Sequence, residues 1–299
     1  MTRTSRKRRP RRIRLVASVA IVGSLALSAG WVAAAKVDLS AMTFTSEPLV
    51  GKVIWNDLVT DDIAAARSFY GSLFGWTFEQ GSARGGRAYS LARSGGVYVA
   101  GLVEMRSEAQ GTEFSRWLPY ISVPDVDAAI AKATPAGAKV VAGPLNVRFG
   151  RVAALTDPEG AVFGLIRSNI GDPDDKTTAP ATGRVVWTEM LSNDPDLAAG
   201  FYKTVVGYTP NKVHRRGGEY TVLMRGKENR AGILKNPSEQ ADPVWLTYFG
   251  VDDPAATAAR AEELGGSILL PVSPELREGT MAVVTDPTGA LLVLRKVGA

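Results

Sequence analysis

Four tryptophans and two carboxylates recur in matching surroundings along this chain. Trp55 and Asp57 lie in GKVIWNDLVTDD, Trp187 and Glu189 lie in GRVVWTEMLSND, and Trp117 and Trp245 open two further strand-like runs. Residues two apart on a strand share a face, so Asp57 points with Trp55 and Glu189 with Trp187. Indole faces stack on flat apolar groups and attract cations, and an inward carboxylate accepts a charged hydrogen bond. The set therefore suits an apolar or aromatic ligand carrying a donor or a cationic group, and it defines Trp55, Asp57, Trp117, Trp187, Glu189 and Trp245 as candidate ligand-binding residues. The same types also serve core packing, with each indole N–H satisfied internally. Inward carboxylates are costly unless paired, and neighbouring backbone or an arginine across a domain interface would pair them as well as a ligand would. No catalytic residue stands out. There is no cysteine, which excludes thiol chemistry and disulfides, and the single histidine, His214, sits in the polar, hairpin-like stretch NKVHRRGGEY. No P-loop, dinucleotide fingerprint, zinc motif or nucleophile elbow occurs.

The elements that position these residues repeat. The stretch Gly51–Trp76 reads as a strand, an amphipathic helix capped by Asp62 and a glycine stop at Gly75. A copy begins at Gly183, 132 residues on and in register, with Asp194 as the cap and Gly207 as the stop. Weaker copies start at Trp117 (Asp125, Gly137) and Trp245 (Asp253, Gly265). In all four, tryptophan precedes the helix-ending glycine by 20 residues. Three short strand-like runs follow each helix, and the turns Asp157-Pro158-Glu159-Gly160 and Asp286-Pro287-Thr288-Gly289 correspond. Four β-α-β-β-β units result, and such a period has to be settled before any other reading. The predicted fold class is α+β: two tandem domains, each of two paired β-α-β-β-β modules forming a curved mixed sheet around a cavity. The predicted boundaries are 1–35 for a leader, 36–50 for a tether, 51–167 for the first domain, 168–182 for a linker and 183–297 for the second domain.

The chain has 299 residues and a formal net charge of +5, but the charge is misleading. Eight Lys/Arg and no acid fall in residues 1–35, which leaves 27 basic against 30 acidic residues, net −3, in the remainder. A nucleic-acid footprint needs a basic face on the folded domain, so nucleic acid is excluded as a partner. After the basic N-terminus comes the apolar run Leu15–Ala35, ending in Ala33-Ala34-Ala35. This layout fits a secretory signal peptide, and its length also fits a transmembrane anchor. Both alternatives place residues 36–299 outside the cytoplasm, either secreted or held at the membrane by residues 15–35.

The strand-Asp-helix-FY-x3-FGW pattern at 55–76, with WLPYISVPDVDAA at 117–129 and DPEGAVFGLIR at 157–167, resembles the vicinal oxygen chelate superfamily of glyoxalases, bleomycin-resistance proteins and extradiol dioxygenases. It is similar to the tandem two-domain bacterial members labelled glyoxalase-like or hydroxylase-like. The resemblance implies a metal. Its first ligand would come from the position seven residues before the helix cap, its second from the equivalent strand of the next module, and its third from four residues past the glycine of the DPxG turn. Those positions here hold Trp55 and Trp187, Trp117 and Trp245, and Gly164 and Val293, none of which coordinates such a cation. The expectation is therefore no metal or other cofactor, no enzymatic activity of the usual type, and a small-molecule ligand, with the two domains pairing within the chain. Two alternatives stand beside it: a metal-dependent lyase or dioxygenase using other donors, and a non-catalytic envelope scaffold.

Overall fold

A computed structural model describes residues 37–82, 87–105, 115–176, 179–215, 218–238 and 240–298. The predicted leader lies outside the described residues. In the first domain, one module is β1 (Val53–Thr60), α1 (Ile63–Phe74), β2 (Thr77–Ser82), β3 (Ala88–Ser94) and β4 (Val97–Glu104). The next is β5 (Arg116–Ser122), α2 (Val126–Ala133), β6 (Lys139–Val147), β7 (Gly150–Thr156) and β8 (Val162–Ser168). The second domain repeats them as β9 (Val185–Ser192), α3 (Pro195–Val206), β10 (Thr209–Arg215), β11 (Gly218–Arg225) and β12 (Glu228–Lys235), then β13 (Val244–Val251), α4 (Pro254–Glu263), β14 (Ser267–Leu270), β15 (Met281–Thr285) and β16 (Leu291–Lys296).

Each domain is one eight-stranded mixed sheet, ordered β2-β3-β4-β1-β5-β8-β7-β6 and β10-β11-β12-β9-β13-β16-β15-β14. The first strands of the two modules, β1 with β5 and β9 with β13, pair antiparallel at the centre. The helices start where the sequence places the caps. Asp62 accepts from the amides of Ala64 and Ala65, and Asp194 from that of Leu197. Gly75 and Gly207, at φ 68° and 81°, take the left-handed cap conformation that a side chain resists. The sixth strand tolerates Pro144 because it lies on a sheet edge where no ladder donor is missed.

The helical faces of the two domains meet. Helix α1 packs with α4, and α2 with α3. Two apolar cores are thereby shared. One joins Ala129, Leu155 and Phe163 to Phe201, Tyr202 and Trp245, and the other joins Phe69, Tyr70 and Trp117 to Phe249, Ala261 and Leu292. Two smaller clusters line the opposite, concave faces, one per domain.

The stretch read as a tether is folded onto the first domain. Phe44 bridges to Pro173, the Thr45 amide donates to the Asp172 carbonyl and the Asp174 amide to the Thr43 carbonyl, and buried Asp172 accepts from the Leu49 amide and the Ser122 hydroxyl, both at 2.6 Å. Residues 37–50 and the start of the linker thus form one strap across the open side of the first sheet.

Candidate functional site

The pleat of β1 turns Trp55 and Asp57 to the concave face. Asp57 is fully buried, and its Oδ1 accepts from the Trp55 indole N–H at 2.8 Å and the Tyr89 hydroxyl at 3.0 Å. Its Oδ2 is buried without a partner. Burial pushes the carboxyl up to about 6, against the stabilising pull of Trp55, Tyr89 and Tyr120. Close approach is possible because Gly101 faces this group: a Cβ there would lie 2.1 Å from both Asp57 Oδ1 and the Tyr89 hydroxyl.

The second domain repeats the constellation and adds a cation. Glu189 accepts from the Tyr220 hydroxyl at 2.6 Å, from the Tyr248 hydroxyl, and from Arg277 Nη2 at 2.6 Å, while the Trp187 indole donates to the Tyr220 hydroxyl at 3.0 Å. Burial and the Glu189 charge raise the Tyr220 and Tyr248 hydroxyls above their usual range. Burial works against the Arg277 guanidinium, but Glu189 holds it above its ordinary value. Arg277 and Glu278 have φ of 49° and 59°, left-handed conformations that cost a non-glycine residue about 1–3 kcal/mol each. The loop is held there by the half-buried ion pair of Arg277 with Glu189.

Trp117 and Trp245 are not on these faces, contrary to the expectation that they wall the cavities. In the β1–β5 register Trp55 pairs with Tyr120, Asp57 with Leu118, and Leu58 with Trp117; in the second domain Trp187 pairs with Tyr248, Glu189 with Leu246, and Met190 with Trp245. Paired residues share a side, so both tryptophans point into the helix layer. There the Trp117 indole donates to the Tyr70 hydroxyl (3.1 Å), which donates to Asp286 (3.0 Å). The Trp245 indole likewise donates to Tyr202 (2.8 Å), which donates to Asp157 (3.0 Å). Each relay crosses from one domain to the other and ends on the aspartate of a DPxG turn. The warning was in the sequence: Trp55 precedes its helix cap by seven residues and Trp117 by eight, as do Trp187 and Trp245 respectively. One residue on a strand reverses the face. The partners that sequence reading missed, Tyr89, Tyr120, Tyr220, Tyr248 and Arg277, come from other strands and a loop, and no local pattern ties them to β1 or β9.

The same register tests the metal. The concave positions nearest those of the ligands are Trp55, Leu118 and Gly164 in one sheet, and Trp187, Leu246 and Val293 in the other. None is a donor for a divalent cation. The Tyr120 ring fills the space over Gly164, where a Cβ would lie 2.2 Å from it. Among the described residues no three His, Asp or Glu side chains converge to hold a metal, and the family's metal does not fit either site. His214 is exposed on β10, opposite Glu219, rather than in a turn.

Beside Trp55 lies an apolar cavity of about 110 Å³, walled by Tyr89, Leu91, Tyr98 and Ile166 and covered by Val37, Leu39, Met42 and Phe44 of the strap. The equivalent place in the second domain is an open cleft of about 360 Å³ beside Trp187 and Tyr220. A further opening of about 520 Å³ adjoins it, sharing Arg215, Tyr220 and Arg295 and bordered also by Arg277.

The chain belongs to the Glyoxalase/Bleomycin resistance protein/Dioxygenase superfamily, whose family model matches residues 52–165 and again 184–294. It is 37% identical over 256 residues to the "Putative glyoxylase CFP32" of Mycobacterium tuberculosis (strain CDC 1551 / Oshkosh), covering 84% of this chain and 97% of that protein. It is 32% identical to the "Anthracycline biosynthesis protein DauV" of Streptomyces sp. (strain C5), covering 80% and 91%. Among solved structures it resembles the 2,2',3-trihydroxybiphenyl 1,2-dioxygenase of Sphingomonas wittichii (TM-score 0.56, 13% identity, 83% and 90% covered). It also resembles the Mn(II)-bound glyoxalase of Novosphingobium aromaticivorans (TM-score 0.53, 15% identity, 83% and 82% covered). At those identities the structures speak for the fold alone.

Proposed function

We propose that this glyoxalase-like protein binds a small apolar or aromatic molecule without the metal of its superfamily, and holds it rather than turning it over. The observation that carries this is the filling of both sets of ligand positions by tryptophan, leucine, glycine and valine, beside cavities with aromatic walls. Size agrees with it. An engineered apolar cavity of about 150 Å³ takes up benzene, and the space beside Trp55 is of that order, at about 110 Å³. Kinship with a protein named for anthracycline biosynthesis, anthracyclines being planar aromatic compounds, supports an aromatic guest. The leader at residues 1–35 supports work outside the cytoplasm, as a secreted or membrane-tethered protein. The competing reading, a metal-dependent lyase or dioxygenase, draws on relatives named for such activities but would need donors from elsewhere in the chain.

Elemental analysis of the purified chain, joined to tryptophan emission during titration with small aromatics, tests the proposal. The expected result is no stoichiometric Fe, Mn, Ni or Zn, and quenching that Trp55→Phe or Trp187→Phe diminishes. One equivalent of tightly held metal overturns it. Emission that no aromatic alters favours a scaffold.

A further inference from the structure

The two domains present the same cleft with different contents. Trp187 stands where Trp55 does, Tyr220 where Tyr89 does, Asn229 where Tyr98 does, and Arg295 where Ile166 does. In the first domain the tyrosine and isoleucine complete an apolar chamber, and the Tyr98 hydroxyl holds the strap through the Asp38 amide. In the second, their replacements leave the chamber polar. Among the described residues, only Pro180 of the linker borders it, because linker residues 172–174 are paired with residues 43–45 of the first domain's strap.

This second cleft is also one-sided in charge. Arg215, Arg295 and Lys296 line it and, among the described residues, no acidic residue does; Arg215 and Arg295 also border the larger adjoining opening, where Glu275 and Glu278 stand. The Arg215 guanidinium lies 4.0 Å over the Tyr220 ring. Among the described residues, neither Arg215, Arg295 nor Lys296 makes an ion pair. Glu189, which sequence reasoning assigned to a donor or cation on the ligand, is already occupied by Tyr220, Tyr248 and Arg277.

We propose that the second-domain cleft binds a planar aromatic oxyanion, its ring against Trp187 and its charged group at the rim formed by Arg295 and by Arg215, which stacks on Tyr220. This rests on the reading of the protein as an aromatic-binding member of its family, and it reverses the ligand charge inferred from the sequence. Guanidinium groups pair with planar oxyanions through two parallel hydrogen bonds, which gives them preference over neutral analogues of the same shape.

Calorimetric titration of the full chain with 2-naphthoate, neutral 2-naphthamide and cationic 2-naphthylmethylammonium tests the proposal. The naphthoate is expected to bind about tenfold or more tighter than the amide, the cation weakest of the three, with the naphthoate advantage shrinking as salt is raised. Arg215→Gln with Arg295→Gln is expected to remove that advantage and leave amide binding and Tm unchanged, since both side chains are exposed; Arg295→Gln alone should remove part of it. Equal binding of amide and naphthoate overturns the inference while leaving the aromatic-binding reading intact, as does an unaltered naphthoate affinity in the double variant. Absence of heat with all three probes at millimolar concentration also overturns it, and the metal content then decides the parent reading separately.

Discussion

The two inward carboxylates share a position and differ in how they are neutralised. Glu189 has Arg277, whereas Asp57 has only hydroxyl and indole donors and one oxygen without a partner. Its folded pKa of about 6 lies above the ordinary carboxylate value. The folded state therefore holds a proton that the unfolded chain releases between about pH 4 and 6. The stability tied to this proton is fully present below pH 4 and is lost as pH rises through 6. Asp157, also at about 6 and raised first by burial, acts with the same sign. Urea unfolding from pH 4.5 to 8 is expected to show this decline, and Asp57→Asn to flatten it while gaining on the order of 1–3 kcal/mol at pH 7.5. A variant whose pH profile superimposes on that of the parent chain would show that Asp57 is ionised throughout. The alternation that put Asp57 beside Trp55 is legible in one dimension. Its tyrosine donor, Tyr89, is not, because it reaches Asp57 from β3.

At the scale of elements, the segment that precedes β1 is the one whose role changed most. Apolar residues at 37, 39, 42 and 44 looked unstructured beside a polar background, yet they cover the first cavity and are held by the linker. Leu39→Ser with Met42→Ser is expected to open that cavity and raise the accessibility of Trp55 to acrylamide. Stern–Volmer quenching should increase, and the increase should vanish in a Trp55→Phe background. An unchanged quenching constant would mean that the strap does not seal the cavity. The four aspartate caps and the stops at Gly75 and Gly207, by contrast, are plain in the sequence because each depends on two or three adjacent residues, whereas α2 and α4 end at Ala133 and Glu263, before Gly137 and Gly265. The faces of β5 and β13 were misjudged because a shared tryptophan outweighed the one-residue difference in its distance from the cap.

Across the whole molecule, the two largest cores belong to both domains at once. Each domain's helices pack on its own sheet and also against the helices of the other domain, so each half alone would expose the apolar face that the other covers. The buried relays Trp117–Tyr70–Asp286 and Trp245–Tyr202–Asp157 tie the halves at symmetric points. Glu159 adds another tie by accepting from the amides of Asn193 and Asp194, just before α3. Scanning calorimetry is expected to show one cooperative transition, with calorimetric and van't Hoff enthalpies in agreement. Two resolved transitions would mean that the domains fold independently.

The sequence by itself determined the duplication, the four-module α+β architecture, the helix N-caps and the absence of metal donors at the first and third ligand positions. All of these are carried by residue type at fixed spacing along one strand or helix. Tertiary structure alone decided which face Trp117 and Trp245 occupy, what neutralises Asp57 and Glu189, and why the two equivalent clefts differ. Those outcomes depend on strand register and on segments far apart in the chain, where Arg277 meets Glu189 and the strap meets Tyr98. Trp55 and Trp187 are alike in sequence; one lines an apolar chamber beneath the strap and the other a polar, basic cleft.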